Sequence, residues 1–384
     1  IRQAGKSYLL YQRIQQLLRE EHNINEIVYI NFDDERLRQM TADDLDLILQ
    51  AYHSLFDLRP LLFFDEIQNI EGWEHFARRL ANQKYNIYIT GSNAKMLSRE
   101  IATTLGGRFW NKDVYPYSFA EYLNARNIIL SKNWMYGKQA AEVSKAFNDY
   151  FLYGGFPELT DVIAKRVWLN DIYSKIFFSD LIVRNKVRNE EALGLLVRRL
   201  AENVKQPVSY TRLANLISSI GIKISKATVI EFIRYLKESC LIFPIENYAA
   251  KFAERNSNMK HYFIDNGLLS IFLLDGNTSL LENIVAIHLY KRYGAQLYFY
   301  NQNIEVDFII PEAKTAIQVS YSLMDETTCR REVEGLIKLN RVFPMDNMCI
   351  ITRDEERIIT HESGVSIHVI PVWKWLLEEE PLRT

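Results

Sequence analysis

The chain has 384 residues, 48% of them apolar and 24% charged, with a formal charge of −2. Such values describe an ordinary globular protein of two or three domains and exclude a disordered, collagen-like or coiled-coil chain. Fifteen Gly and nine Pro leave no room for long flexible linkers. No apolar run approaches the roughly 18 to 20 residues of a membrane span. Three scattered cysteines with no CxxC pair exclude a disulfide framework and a zinc ribbon, and fit a reducing, cytoplasmic setting.

The chain opens on Ala4-Gly5-Lys6-Ser7, the end of the phosphate-binding pattern G-x-x-x-x-G-K-[ST]. Its first Gly and the strand feeding it are expected upstream of Ile1, so the chain reads as an N-terminally clipped piece. Residues Ala4 to Tyr8 would form the cradle. Gly5 lets backbone N–H groups close on phosphate, Lys6 places an ammonium on the β and γ oxygens, and the Ser7 hydroxyl ligates Mg²⁺. A helix from Tyr8 to about Glu20 would aim its positive end at the anion. After a strand near Ile27 to Phe32 comes Leu61-Leu62-Phe63-Phe64-Asp65-Glu66, a buried strand ending in two carboxylates. That order assigns Asp65 to the metal shell and Glu66 to orienting or deprotonating the attacking water.

A third strand, Asn86 to Thr90, ends in Gly91-Ser92-Asn93, where Thr90, Ser92 and Asn93 are candidates to sense the γ-phosphate or water. Arg108, after Gly106-Gly107, is a candidate arginine finger, acting in cis or, in an oligomer, in trans. Asn111-Lys112-Asp113 lacks the spacer of the guanine-reading signature, so ATP is the expected nucleotide.

Beyond residue 119 the pattern turns helical: Ala120 to Arg126, Lys138 to Tyr150 and Ala164 to Phe178 suit a lid. Residues 185–268 carry +5 and read as a winged helix-turn-helix, with helices Glu190 to Asn203, Tyr210 to Ser218, and one capped by Ser225 and running to about Glu238. Val229, Ile233 and Leu236 form its core stripe, and Lys226, Arg234 and Lys237 share a broad outer face suited to duplex DNA. Two strands follow, Leu241 to Glu246 and His261 to Ile264. The tail, 269–384, carries −6 and reads as a helix, Leu280 to Tyr293, then strands Gln296 to Asn301, Glu305 to Ile310 and Ala316 to Tyr321. Asp307 lies among apolar strand residues, a costly place unless the carboxylate is paired or binds a metal.

Three blocks, Arg2 to Leu10, Leu62 to Gln68 and Ile89 to Asn93, resemble the archaeal-type ATPases of the AAA/STAND group. So do Gly107-Arg108, Tyr115 to Phe119 and Tyr153-Gly154-Gly155-Phe156-Pro157. The resemblance implies a P-loop NTPase core (1–119), a helical lid (120–184), a winged helix (185–268) and a C-terminal α/β restriction-endonuclease-like domain (269–384). It also implies a Gly-x-Pro turn ending at Pro157 that packs near the nucleotide, although a helix-breaking turn needs no ligand. Active nuclease-like members carry Glu-x-Lys where this chain reads Gln318-Val319-Ser320, so a degenerate nuclease centre is expected. ATP and Mg²⁺ are the expected ligands. Two outputs stay open: action on duplex DNA through the winged helix, or a protein-interaction module without a nucleic-acid role, its protein partner unidentified.

Overall fold

The computed structural model describes every residue except 92–102, 108, 252–254, 256–257 and 379–384. Its contacts divide into two compact units, Ile1–Tyr115 and Pro116–Thr384.

In the first unit, β1 (Ile27–Asn31), β2 (Leu61–Asp65) and β3 (Ile87–Ile89) form a parallel sheet with β2 in the centre. Ile27 pairs with Leu61, Asn31 with Asp65, and Phe64 with Ile89. Every residue of β2 is buried, and strand alternation splits its side chains between two cores. Leu61 and Phe63 pack with Leu10 and Leu17 of α1 (Lys6–Arg19). Leu62 and Phe64 pack on the other face with Leu45 of α2 (Leu45–Leu55) and with Trp73, Phe76 and Leu80 of α3 (Trp73–Asn82). Each large side chain buried this way contributes about 1.5–3 kcal/mol, which locks the acidic end of β2 against the start of α1.

The second unit begins with α4 (Phe119–Ala125), capped by Ser118, then α5 (Lys138–Tyr153) and α6 (Lys165–Lys175). The helix expected to run to Phe178 widens instead into a π-helical stretch, Ile176–Val183. Helices α7 (Glu190–Glu202), α8 (Tyr210–Ser218) and α9 (Lys226–Glu238) follow, with Ser209 and Ser225 capping the last two.

The strands of this unit are β4 (Val208–Ser209), which directly precedes α8, then β5 (Ile242–Asn247), β6 (Asn258–Phe263), β7 (Tyr298–Asn301), β8 (Glu305–Ile310), β9 (Thr315–Val319), β10 (Asn347–Thr352), β11 (Arg357–Thr360) and β12 (Ser366–Pro371). They form one sheet in the order β11-β12-β10-β9-β8-β7-β5-β6-β4. The strands read as a wing therefore join those of the tail, through the parallel pairing of Glu246 with Tyr298 and Asn247 with Phe299. Helices α10 (Asn266–Ser270), α11 (Asn277–Tyr293), α12 (Glu326–Val342) and α13 (Val372–Trp375) complete the unit. Helix α12 lays Val333, Leu336, Ile337 and Leu339 on a core that includes Val306, Ile309, Ala316 and Ile350.

Where the chain enters this unit its backbone is held at three points. Lys291 of α11 donates to the Pro116 carbonyl at 2.6 Å, the Tyr150 hydroxyl to the Tyr117 carbonyl at 2.8 Å, and the Tyr117 N–H to the Gly155 carbonyl at 2.7 Å. The Gly155 N–H in turn donates to the buried Asp265 carboxylate at 2.8 Å. A Cβ on Gly155 would lie 2.3 Å from the Tyr117 carbonyl oxygen, so this approach requires glycine.

Candidate nucleotide site

The start of α1 is built to leave donors free. Gly5 takes a left-handed φ of 92° and, having no side chain, caps none of the N–H groups of the first turn. Those N–H groups have no partner within a helix and present a ready anion site. Ala4 and Lys6 are buried, Ser7 is half-buried, and Tyr8 is exposed. The Lys6 ammonium donates to the Ile1 carbonyl at 2.7 Å and stands 3.6 Å from a Glu66 carboxylate oxygen. Acceptor oxygens thus already gather at the charge that a phosphate would meet.

Opposite it, Asp65 is buried at the end of β2, 1% exposed. A carboxylate there must be hydrogen-bonded, and two hydroxyls do this. Thr90, just beyond β3, donates to Oδ1, and Tyr29 of β1 donates to Oδ2 at 2.9 Å. Tyr11 of α1 reaches the Tyr29 hydroxyl at 3.0 Å, which completes a line of oxygens from α1 to Asp65. Burial first, then the bonds to Tyr11 and Asp65, push the Tyr29 phenol above its ordinary range, so it stays a proton donor. Thr90 also accepts from the Glu66 N–H at 3.1 Å, fixing both acidic residues with one hydroxyl. Glu66 sits at a left-handed φ of 53°, and Gln68 Nε2 donates to its Oε2 at 2.5 Å.

Lys6, Asp65, Glu66 and Thr90 are therefore linked into one constellation. Asn93 and Arg108, as well as Ser92, lie outside the described residues. Pro157 opens a short 3₁₀ turn, Pro157–Thr160, in the second unit. Tyr29, Tyr11 and Gln68 are additions that motif reading passed over; the signal for Tyr29 is a phenol on the strand that pairs beside the acidic one. The Ser7 hydroxyl and Asp65 carboxylate are hard oxygen donors of the kind Mg²⁺ takes together with phosphate and water, so the residues present fit that ion.

A profile of the AAA domain matches residues 1–123, and a domain of unknown function (DUF8612) matches 144–279. The uncharacterized protein MJ1544 of Methanocaldococcus jannaschii is 34% identical over 98% of this chain and 87% of its own length. An uncharacterized protein of Haemophilus influenzae is 30% identical over 98% of this chain and 93% of its own. Among solved structures, the Walker-type ATPase PABY2304 of Pyrococcus abyssi covers 71% of this chain and 89% of that one, at 14% identity and a TM-score of 0.42, a likeness too low to carry an argument. Among the described residues no helix is long and apolar enough to cross a membrane.

Proposed function

The chain belongs to the same family as these archaeal and bacterial relatives, and its residues 1–123 match the AAA domain; on that premise we propose that it is a Mg²⁺-dependent, ATP-hydrolysing switch whose nucleotide state sets the activity of its second unit. The observation that carries the reading is the Lys6 ammonium set 3.6 Å from Glu66, next to an Asp65 that Thr90 and Tyr29 hold in place.

In this reading Ser7 and Asp65 would hold Mg²⁺, which would supply positive charge against the phosphates. The N–H groups from Gly5 to Tyr8 and the Lys6 ammonium bind the phosphates. Glu66, released from Lys6 once phosphate takes the ammonium, orients the attacking water and accepts its proton. Thr90 keeps Asp65 and Glu66 in register, while Asn93 and Arg108 are assigned the γ-phosphate and the charge that develops in the transition state. Binding can shift the second unit only through contacts that differ between its two arrangements.

The test uses two substitutions. Lys6→Ala is expected to abolish ATP binding. Glu66→Gln is expected to keep binding while turnover falls by about 10²-fold or more. Normal turnover in Glu66→Gln removes that residue from the chemistry, and full-strength binding in Lys6→Ala removes the site.

For the output, duplex DNA is the first reading, because Lys226, Arg234 and Lys237 are all exposed on α9. One observation favours the second reading, a protein-interaction unit. Arg234 lies between Glu231 at 3.9 Å and Glu238 at 4.0 Å, so the face is of mixed sign.

A further inference from the structure

Three acidic residues of the tail converge on a buried lysine. Lys260, the third residue of β6, is fully buried. Its ammonium donates to Glu282 Oε1 of α11 and to Asp307 Oδ1 of β8, both at 3.1 Å, and stands 3.7 Å from Glu305 Oε1. Two further donors share these carboxylates. Tyr262 donates to Glu282 Oε1 at 2.7 Å, and the Val319 N–H donates to Asp307 Oδ2 at 2.9 Å. Gln318, at the position of the expected metal-binding glutamate, accepts from the Asp307 N–H at 2.8 Å and donates to the Glu305 carbonyl at 3.1 Å. Its amide braces two strands and is not available as a ligand. Beside the cluster opens a cavity of about 710 Å³, walled in part by Glu305, Gln318, Ser320, Arg331 and Glu332.

These residues do not fit a divalent cation. The Lys260 ammonium already occupies the point on which the three carboxylates converge, at 3.1–3.7 Å from their oxygens, and a Mg²⁺ or Ca²⁺ ion, which needs oxygens at about 2.0–2.6 Å, would have to displace it. Among the described residues no group of three or more His, Cys, Asp or Glu side chains is arranged to hold a metal ion. A second cation would also have to enter next to a buried like charge, where repulsion is poorly screened. Burial by itself would lower the lysine's affinity for its proton, but Glu282, Asp307 and Glu305 outweigh it and hold the group charged.

We propose that Lys260 supplies, from within the chain, the positive charge that the nuclease-like resemblance would assign to a metal, and that it closes this centre to divalent cations. The cavity beside it is then a metal-free site. Glu305 is exposed, so with the ammonium gone its carboxylate can close with Glu282 and Asp307 on a smaller ion.

The experiment titrates the full chain with Mn²⁺ in the absence of nucleotide. Free Mn²⁺ is followed by electron paramagnetic resonance, and thermal unfolding is recorded in parallel. Wild type is expected to show no Mn²⁺ site, and no Mn²⁺-dependent rise in Tm, that Asp307→Asn removes. Lys260→Met is expected to gain one Mn²⁺ per chain and a rise in Tm of roughly 2–4 °C at a tenfold excess over Kd. A wild-type site lost in Asp307→Asn overturns the proposal, as does a folded Lys260→Met indifferent to Mn²⁺. Should Lys260→Met not fold, the wild-type comparison with Asp307→Asn still decides.

Discussion

Thr90 gives Asp65 and Glu66 what water would give them on an open strand end: one hydroxyl satisfies a buried carboxylate oxygen and accepts a backbone N–H. Losing it leaves two buried polar groups without that partner, a cost of about 1–3 kcal/mol each. Thr90→Val is therefore expected to weaken ATP binding at least tenfold in the presence of Mg²⁺, with Thr90→Ser restoring it; a fluorescent-ATP titration with and without Mg²⁺ measures both. A second residue-scale consequence concerns acid. His261 is buried, and burial, with the nearby Lys237 charge adding to it, depresses its imidazole to about 4. A base depressed in the folded state takes up its proton when the chain unfolds. Its share of stability is thus intact above the unfolded value near 6.5 and is lost as pH falls toward 4. His261→Leu is expected to flatten that acid limb by up to about 1.4 kcal/mol per pH unit. Urea midpoints measured at several values between pH 7 and 4 give the slope, and equal slopes in the two proteins would mean the ring does not stay neutral.

At the level of elements, α9 is where function and packing can be separated. Val229, Ile233 and Leu236 are buried as the spacing predicts, and the outer face is free to bind without disturbing them. Replacing Lys226, Arg234 and Lys237 with Ala should leave folding intact. If α9 contacts phosphates, the slope of log affinity for duplex DNA against log salt should flatten by about 3. An unchanged slope, or no duplex binding at low salt, moves the output to a protein partner. Elements with strong local signals were legible in the sequence. Helices Tyr210–Ser218 and Lys226–Glu238 begin at serine caps, and Glu305–Ile310 alternates as a strand should. The π-helical stretch Ile176–Val183 was not, because its apolar residues fit a continued α-helix equally well. Asp307 was picked out as a charge among apolar residues. Lys260 in Met259–Phe263 obeys the same rule, but its pairing with Asp307 depends on contacts far apart in sequence.

Over the whole molecule, the nucleotide unit was the more legible half, because its chemistry is compressed into short motifs whose spacing reports geometry. The continuous sheet from β4 to β11 was not, since Glu246 and Tyr298 are 52 positions apart and nothing local marks their pairing. That sheet implies that residues 116–384 act as one cooperative body. Expressed alone, this segment is expected to unfold in a single transition, recorded by calorimetry; two transitions would show that the sheet does not unify it. Gly155→Ala, which drives a methyl into the Tyr117 carbonyl, should lower that transition by several degrees without altering ATP binding by the full chain.

The grip on Pro116 and Tyr117 also bears on which positions tolerate change. Lys291, Tyr150 and Gly155 bond to main-chain atoms there, all within the second unit. A backbone carbonyl or N–H is the same whatever side chain it carries, so these three bonds place their demand on Lys291, Tyr150 and Gly155 rather than on the identity of residue 117.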